Sequence, residues 1–249
     1  MTLKEIFVNR HAEMRSGWRA ALCVLLTLSI LYLLQVALES LRATADVLGP
    51  VILLTSTLLG SFIMTRFINR KPFSAIGLSL HPAMGREFGL GCALGIAMIA
   101  SVFLVEYVLG YAEFSWRDLS AGQAIGVFAY SAVFFALAAL GEEVLFRGYI
   151  FQTLVQGITF LPATLTMALF FALAHTINPN VSTFGLVNVA LAAIWLSIAY
   201  MKTRSLWLPF GLHFAWNFFQ TSVFSFPTSG IDFITHRLGT TVQSGPEWI

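Results

Sequence analysis

The chain has 249 residues, 57% of them hydrophobic and 10% charged, with a formal net charge of +2 and a mean hydropathy of +0.80. Soluble domains carry about 25% charged residues, so a soluble globule is excluded, and so are a disordered chain and a disulfide scaffold. What remains is an all-α polytopic membrane helix bundle in a lipid bilayer.

Seven apolar stretches are long enough to suggest membrane crossings. In chain order they are Trp18–Leu38, Val47–Phe67, Phe88–Leu109, Ile125–Gln156, Leu161–Ile177, Phe184–Met201 and Leu206–Phe226. The first reads as an uncleaved signal anchor, because the polar residues before it lack a signal-peptide layout. Cys23 and Cys92 lie in apolar runs and read as small packing residues. The fourth stretch exceeds one crossing and contains charges. It meets the fifth at a turn containing Gly157 and Pro162. The tail after Phe226 holds Pro227, Asp232, His236, Arg237 and Pro246, which argues against an eighth crossing there. Nothing repeats, and the polar loops are too short for a second domain, so residues 1–249 read as one membrane domain.

The basic residues set the orientation. Lys4, Arg10, Arg15, Arg19, Arg66, Arg70, Lys71, Arg86, Lys202 and Arg204 fall on one side; Arg42, Arg117 and Arg237 fall on the other. This bias predicts a cytoplasmic N-terminus. It also accounts for the net charge, with no basic cluster for nucleic acid. The lack of targeting signals in a compact chain suggests a bacterial inner membrane.

Ionisable groups at the centre of a membrane helix cost about 2.5–3.5 kcal/mol each on insertion scales. Yet the fourth, fifth and seventh stretches carry Glu142, Glu143, Arg147, His175, His213 and Asn217. His11, His81 and His236 fall in loops or tails. Residues four apart share a helix face. Glu143 and Arg147 can therefore pair, as can Phe171 with His175 and His213 with Asn217. Glu142 is turned about 100° from Glu143, onto a side with Phe146 and Tyr149. This predicts a structural Glu143–Arg147 pair and leaves Glu142 as the working carboxylate. In a symmetric hairpin of stretches four and five, Glu142 and His175 would lie at equal depth and could face each other. His213 is nearer its own helix start, so it fits only if the Gly157–Pro162 tip protrudes or the helices are offset.

Taken together, Glu142-Glu143-x-x-x-Arg147, Phe171-x-x-x-His175 and His213-x-x-x-Asn217 resemble the three motifs of the CPBP (Abi) intramembrane proteases, which include the type II CAAX prenyl endopeptidases. The resemblance covers residues 125–225, the expected catalytic core. It implies a fold of eight membrane helices, against the seven counted here. It also implies an endopeptidase that cuts membrane-embedded or lipidated peptide substrates, prenylated CAAX tails among them. In that scheme Glu142, assisted by His175, activates water, and His213 and Asn217 stabilise the oxyanion. Glu143, Arg147 and Phe171 are support. No serine or cysteine is placed as a nucleophile.

Zinc is the open alternative. Glu142, His175 and His213 could form a ligand set with a water position, Glu143 then serving as base. The compact His-Glu-x-x-His helix is absent and Asn217 is a poor zinc ligand, so catalysis without a metal is favoured. Two other classes compete: a transporter using the buried Glu/His/Arg cluster as a relay, and a non-enzymatic scaffold or immunity protein. The confinement of the polar set to one half of the chain argues against a transporter built from repeats.

Overall fold

The computed structural model describes residues 6–9, 12–40, 45–233, 235 and 237–244. Lys4, Arg10, His11, Arg42, His236 and Pro246 lie outside them.

Every apolar stretch is helical. The elements are α1 (Ser16–Ser40), α2 (Ala45–Ile63), α3 (Met84–Val108), β1 (Ala112–Trp116), α4 (Ala121–Glu143), α5 (Phe151–Ile158), α6 (Phe160–His175), α7 (Thr183–Thr203), α8 (Trp207–Phe218) and β2 (Gly239–Gln243). Three π-helical segments interrupt them. Met64–Ile68 extends α2, Val144–Ile150 joins α4 to α5, and Phe219–Val223 extends α8. Large apolar side chains are exposed all along α1, α3 and α7, as at Leu25, Leu104 and Trp195. Helices apolar all round belong in lipid. The chain is an integral membrane protein.

Among the described residues, five helical spans are long and apolar enough to cross by themselves; α6 is shorter. Sixteen residues give about 24 Å, short of a hydrocarbon core of about 30 Å. The turn after α6 and the chain after α8 are packed on each other at this level. Asn178 Nδ2 donates to the Ser229 carbonyl at 2.7 Å, and Asn180 N–H donates to the Gly230 carbonyl at 3.3 Å. Irregular backbone is tolerated in a membrane protein where protein covers it.

The turn between α5 and α6 is tighter than the sequence predicts. It is Thr159 alone, at φ +68°. Pro162 sits in the first turn of α6, where its missing N–H costs no hydrogen bond. Gly157 lies inside α5, against the side chain of Ser16.

Two features place α8, the helix that carries His213. Leu206 N–H donates to the Gly77 carbonyl at 2.9 Å and Trp207 Nε1 donates to the Ser79 carbonyl at 3.0 Å, pinning its start to the loop after α2. Along its length it crosses α3 at backbone contact. A Cβ on Gly91 would collide with the Leu208 carbonyl, and one on Gly211 with the Phe88 carbonyl. Small residues let membrane helices approach this closely.

The described part of the tail makes no eighth crossing. β2 pairs antiparallel with β1, Ala112 opposite Gln243 and Trp116 opposite Gly239. The predicted polar loop and the predicted tail thus form one small sheet.

Candidate active site

Glu143, Arg147 and His213 meet in the packed interior between α4, the following π segment and α8. Glu143 and Arg147 are fully buried. Arg147 donates to Glu143 Oε1 at 3.1 Å, the pair expected from their spacing. The second guanidinium arm donates to the Ala193 carbonyl of α7 at 3.1 Å. The guanidinium also lies 4.8 Å from the centroid of Phe171, a cation–π contact.

Glu143 has a second partner that the sequence does not reveal. His213 Nδ1 lies 2.8 Å from the same Oε1. A carboxylate held by Arg147 accepts, so Nδ1 carries the proton. The opposite nitrogen is thereby aimed at Glu142, with Nε2 3.7 Å from Oε2. Glu143 is thus more than a brace for α4. It orients the imidazole that faces the other carboxylate.

Glu142 and Glu143 are neighbours with different surroundings. The Glu142 side chain is 24% exposed and that of Glu143 is 0% exposed. Only Glu142 can meet a substrate or a water from outside the core. Its Oε2 is nevertheless buried and has no hydrogen-bond partner among the described residues. The full burial of Glu143, with Arg147 and His213 on one oxygen, does not suit the role of base that a zinc scheme would give it.

The π segment changes which residues accompany Glu142. Gly148 has φ −71° and ψ −112°, outside helical values. An uninterrupted helix would keep Phe146 and Tyr149 on the Glu142 side. Instead Phe146 packs edge-on to Phe171 at 4.8 Å, and Tyr149 Oη donates to Asn69 Oδ1 at 3.0 Å. Segments of π-helix are frequent at functional sites.

Phe171 is the hub of the site. It is 3% exposed and touches Phe146, Arg147, His175 and His213, the last at 6.2 Å between ring centroids. His175, one turn on, is partly exposed. Its Nδ1 donates to the Phe171 carbonyl at 2.7 Å, which leaves Nε2 as an acceptor. No ion pair or hydrogen bond joins His175 to Glu142 among the described residues. The carboxylate's histidine neighbour is His213. Asn217, one turn beyond His213 on α8, is partly buried.

Among the described residues no group of three or more His, Cys, Asp or Glu side chains is placed to hold a metal ion, the trio Glu142, His175 and His213 included. Nδ1 of His213 is also engaged by Glu143.

The Ala193 carbonyl was not legible beforehand, since a backbone acceptor has no residue-type signature. The His213–Glu143 contact has a weak signal, namely two intramembrane ionisable groups in need of partners.

Residues 124–219 match the model of the Rce1-like family, described as type II CAAX prenyl endopeptidase Rce1-like. The matched segment contains every motif residue from Glu142 to Asn217 and bears out the resemblance read from the motifs. No curated protein and no solved structure matches the chain.

Proposed function

We propose, from the match of residues 124–219 to the Rce1-like family, that this membrane protein is an endopeptidase. It hydrolyses peptide bonds of membrane-associated substrates, prenylated CAAX-type tails among them. The observation that carries the reading is the approach of Glu142 to His213 Nε2 at 3.7 Å, with Glu143 bonded to the far side of the ring.

Hydrolysis needs an activated water, a stabilised oxyanion and a proton for the leaving amine. Glu142 takes a proton from water while the oxygen adds to the substrate carbonyl carbon. His175, whose Nε2 is an acceptor, assists from α6. His213 donates from Nε2 to the oxyanion, and Asn217 donates its amide beside it. Donation from both ring nitrogens makes His213 an imidazolium. Glu143 stabilises that cation, and Arg147, Glu143, His213 and Glu142 then sum to no net charge, the state a low-dielectric interior favours. The proton on Glu142 passes to the amine nitrogen as the C–N bond breaks.

Each of these steps uses only side chains of the chain, and the scheme requires no metal. The host membrane in this reading is a bacterial inner membrane, with the N-terminus on the cytoplasmic side.

The test is cleavage of a farnesylated CAAX peptide by the purified protein in detergent. Wild type should cut it, Glu142→Gln should lose about a hundredfold or more in rate, and a chelator should leave the rate unchanged. Loss with chelator that zinc restores would overturn the metal-free scheme. An uncut peptide would overturn CAAX tails as substrate.

A further inference from the structure

The end of the bundle where the basic residues gather contains a second polar site, away from the carboxylates. It is a cleft of about 40 Å³ lined by Thr65, Asn69, Lys71, Tyr149, Thr153 and Gln156, among others. A neighbouring cavity of about 100 Å³ shares Gln152 and Gln156 with it and adds Arg204. No carboxylate lines either one.

The polar groups here are in excess as donors. Thr65 is 2% exposed, and its hydroxyl has no hydrogen-bond partner among the described residues. Behind the cleft, Arg19 Nε is also buried with no partner among the described residues, while its Nη1 donates to Asn69 Oδ1 at 3.2 Å. Tyr149 donates to that same oxygen. Two donors on one amide oxygen fix the orientation of the Asn69 amide and leave its Nδ2 to donate elsewhere. Lys71 adds an exposed cation and Thr65 a buried hydroxyl. An anion with several acceptor oxygens satisfies the Thr65 hydroxyl, the Asn69 amide and the Lys71 ammonium together.

The depth of the cleft narrows the choice. Thr65 lies in the last turn of the apolar span Leu48–Ile68, and Asn69 and Lys71 follow it directly. Phe67 and Ile68, beside these residues, are exposed. The cleft therefore sits at the boundary between hydrocarbon and headgroups. Basic pockets between membrane helices at this level suit lipid phosphates.

We propose that this cleft binds a phosphate group, carried by an anionic phospholipid or free in solution. Occupancy would tie the end of α2 to the helix that carries Arg147 and Glu143, through Thr65 and Asn69 on one side and Tyr149 on the other. The inference is independent of the endopeptidase reading.

The experiment compares the full chain in nanodiscs of phosphatidylcholine alone, of phosphatidylcholine with phosphatidylglycerol, and of phosphatidylcholine with inorganic phosphate added. Retained lipid is read by native mass spectrometry and stability by thermal melting. Wild type and the control Lys202→Gln, an exposed lysine outside the cleft, should retain phosphatidylglycerol and melt higher with it. Lys71→Gln and Thr65→Val should retain about tenfold less, the effect of one charge-assisted hydrogen bond. Thr65→Val is isosteric and Lys71 is exposed, so both should fold, and melting in phosphatidylcholine alone checks this. Protection by inorganic phosphate alone, lost in the same two variants, assigns the cleft to a free anion. Equal retention and melting in wild type and both variants, or no protection of wild type by either probe, overturns the proposal.

Discussion

His213 Nδ1 lies 2.8 Å from Glu143 Oε1, two side chains seventy positions apart in sequence. The contact makes the two adjacent carboxylates unequal. Glu143 is consumed by the interior, holding Arg147 and His213 on one oxygen. Glu142 is left beside the outer face of the same ring.

Removing charge from each carboxylate should therefore do opposite things. Glu143→Gln leaves Arg147 buried without its counter-ion, a loss of about 3–5 kcal/mol. The expected result is a large fall in melting temperature and poor recovery from detergent. Glu142→Gln is neutral at a partly exposed site and should melt within a few degrees of wild type, while peptide cleavage is lost. Equal destabilisation by the two variants would contradict the division of labour.

Arg147→Lys tests whether the buried cation acts by charge or by shape. The guanidinium spans Glu143, the Ala193 carbonyl and the face of Phe171. An ammonium can keep the ion pair but not the other two contacts at once. Loss of the bond to the carbonyl should cost about 2 kcal/mol. Thermal melting in detergent should show Arg147→Lys well below wild type; a melting curve superimposed on wild type would show that charge alone suffices.

The seven helical stretches and the Glu143–Arg147 pair were legible because hydropathy and the four-residue spacing depend on local sequence. The partner of Glu143 was not, because nothing in the spacing of α4 says that α8 crosses at its level. The π segment was hidden for a related reason. Whether Gly148 leaves helical values is decided by what packs around it, and so the residues expected beside Glu142 take other partners: Phe146 packs on Phe171 and Tyr149 turns to Asn69. The β1–β2 pair joins segments more than a hundred residues apart. Its signs, Val242, Thr241 and Thr240 opposite Glu113, Phe114 and Ser115, are too short to stand out in a chain this apolar.

The junction between the turn after α6 and the tail should be separable from the core. Asn178 Nδ2 donates to the Ser229 carbonyl, and the Gly230 carbonyl accepts from Asn180. Asn178→Ala removes one hydrogen bond, about 1 kcal/mol. The bundle should melt almost as before, whereas limited proteolysis after Phe226 should become faster. Unchanged cleavage rates in the tail would show that Asn178 does not hold it.

The crossing of α3 and α8 sets the depth of His213, and a single methyl group should be enough to disturb it. Gly91→Ala places a Cβ against the Leu208 carbonyl, and Gly211→Ala places one against the Phe88 carbonyl. Both atoms belong to backbone, which cannot swing aside, so the helices must separate at an overpacking cost of about 1–3 kcal/mol. Because His213 is two positions from Gly211, the strain should also move Nε2 relative to Glu142. Cleavage should then fall further than stability does. Gly89 lies on the same helix, but nothing lies within 4 Å of its added Cβ. Gly89→Ala should therefore leave both melting temperature and activity near wild type. Measured together, the three variants separate helix composition from helix contact: if Gly89→Ala is as damaging as Gly91→Ala, close approach of α3 and α8 is not what positions the histidine.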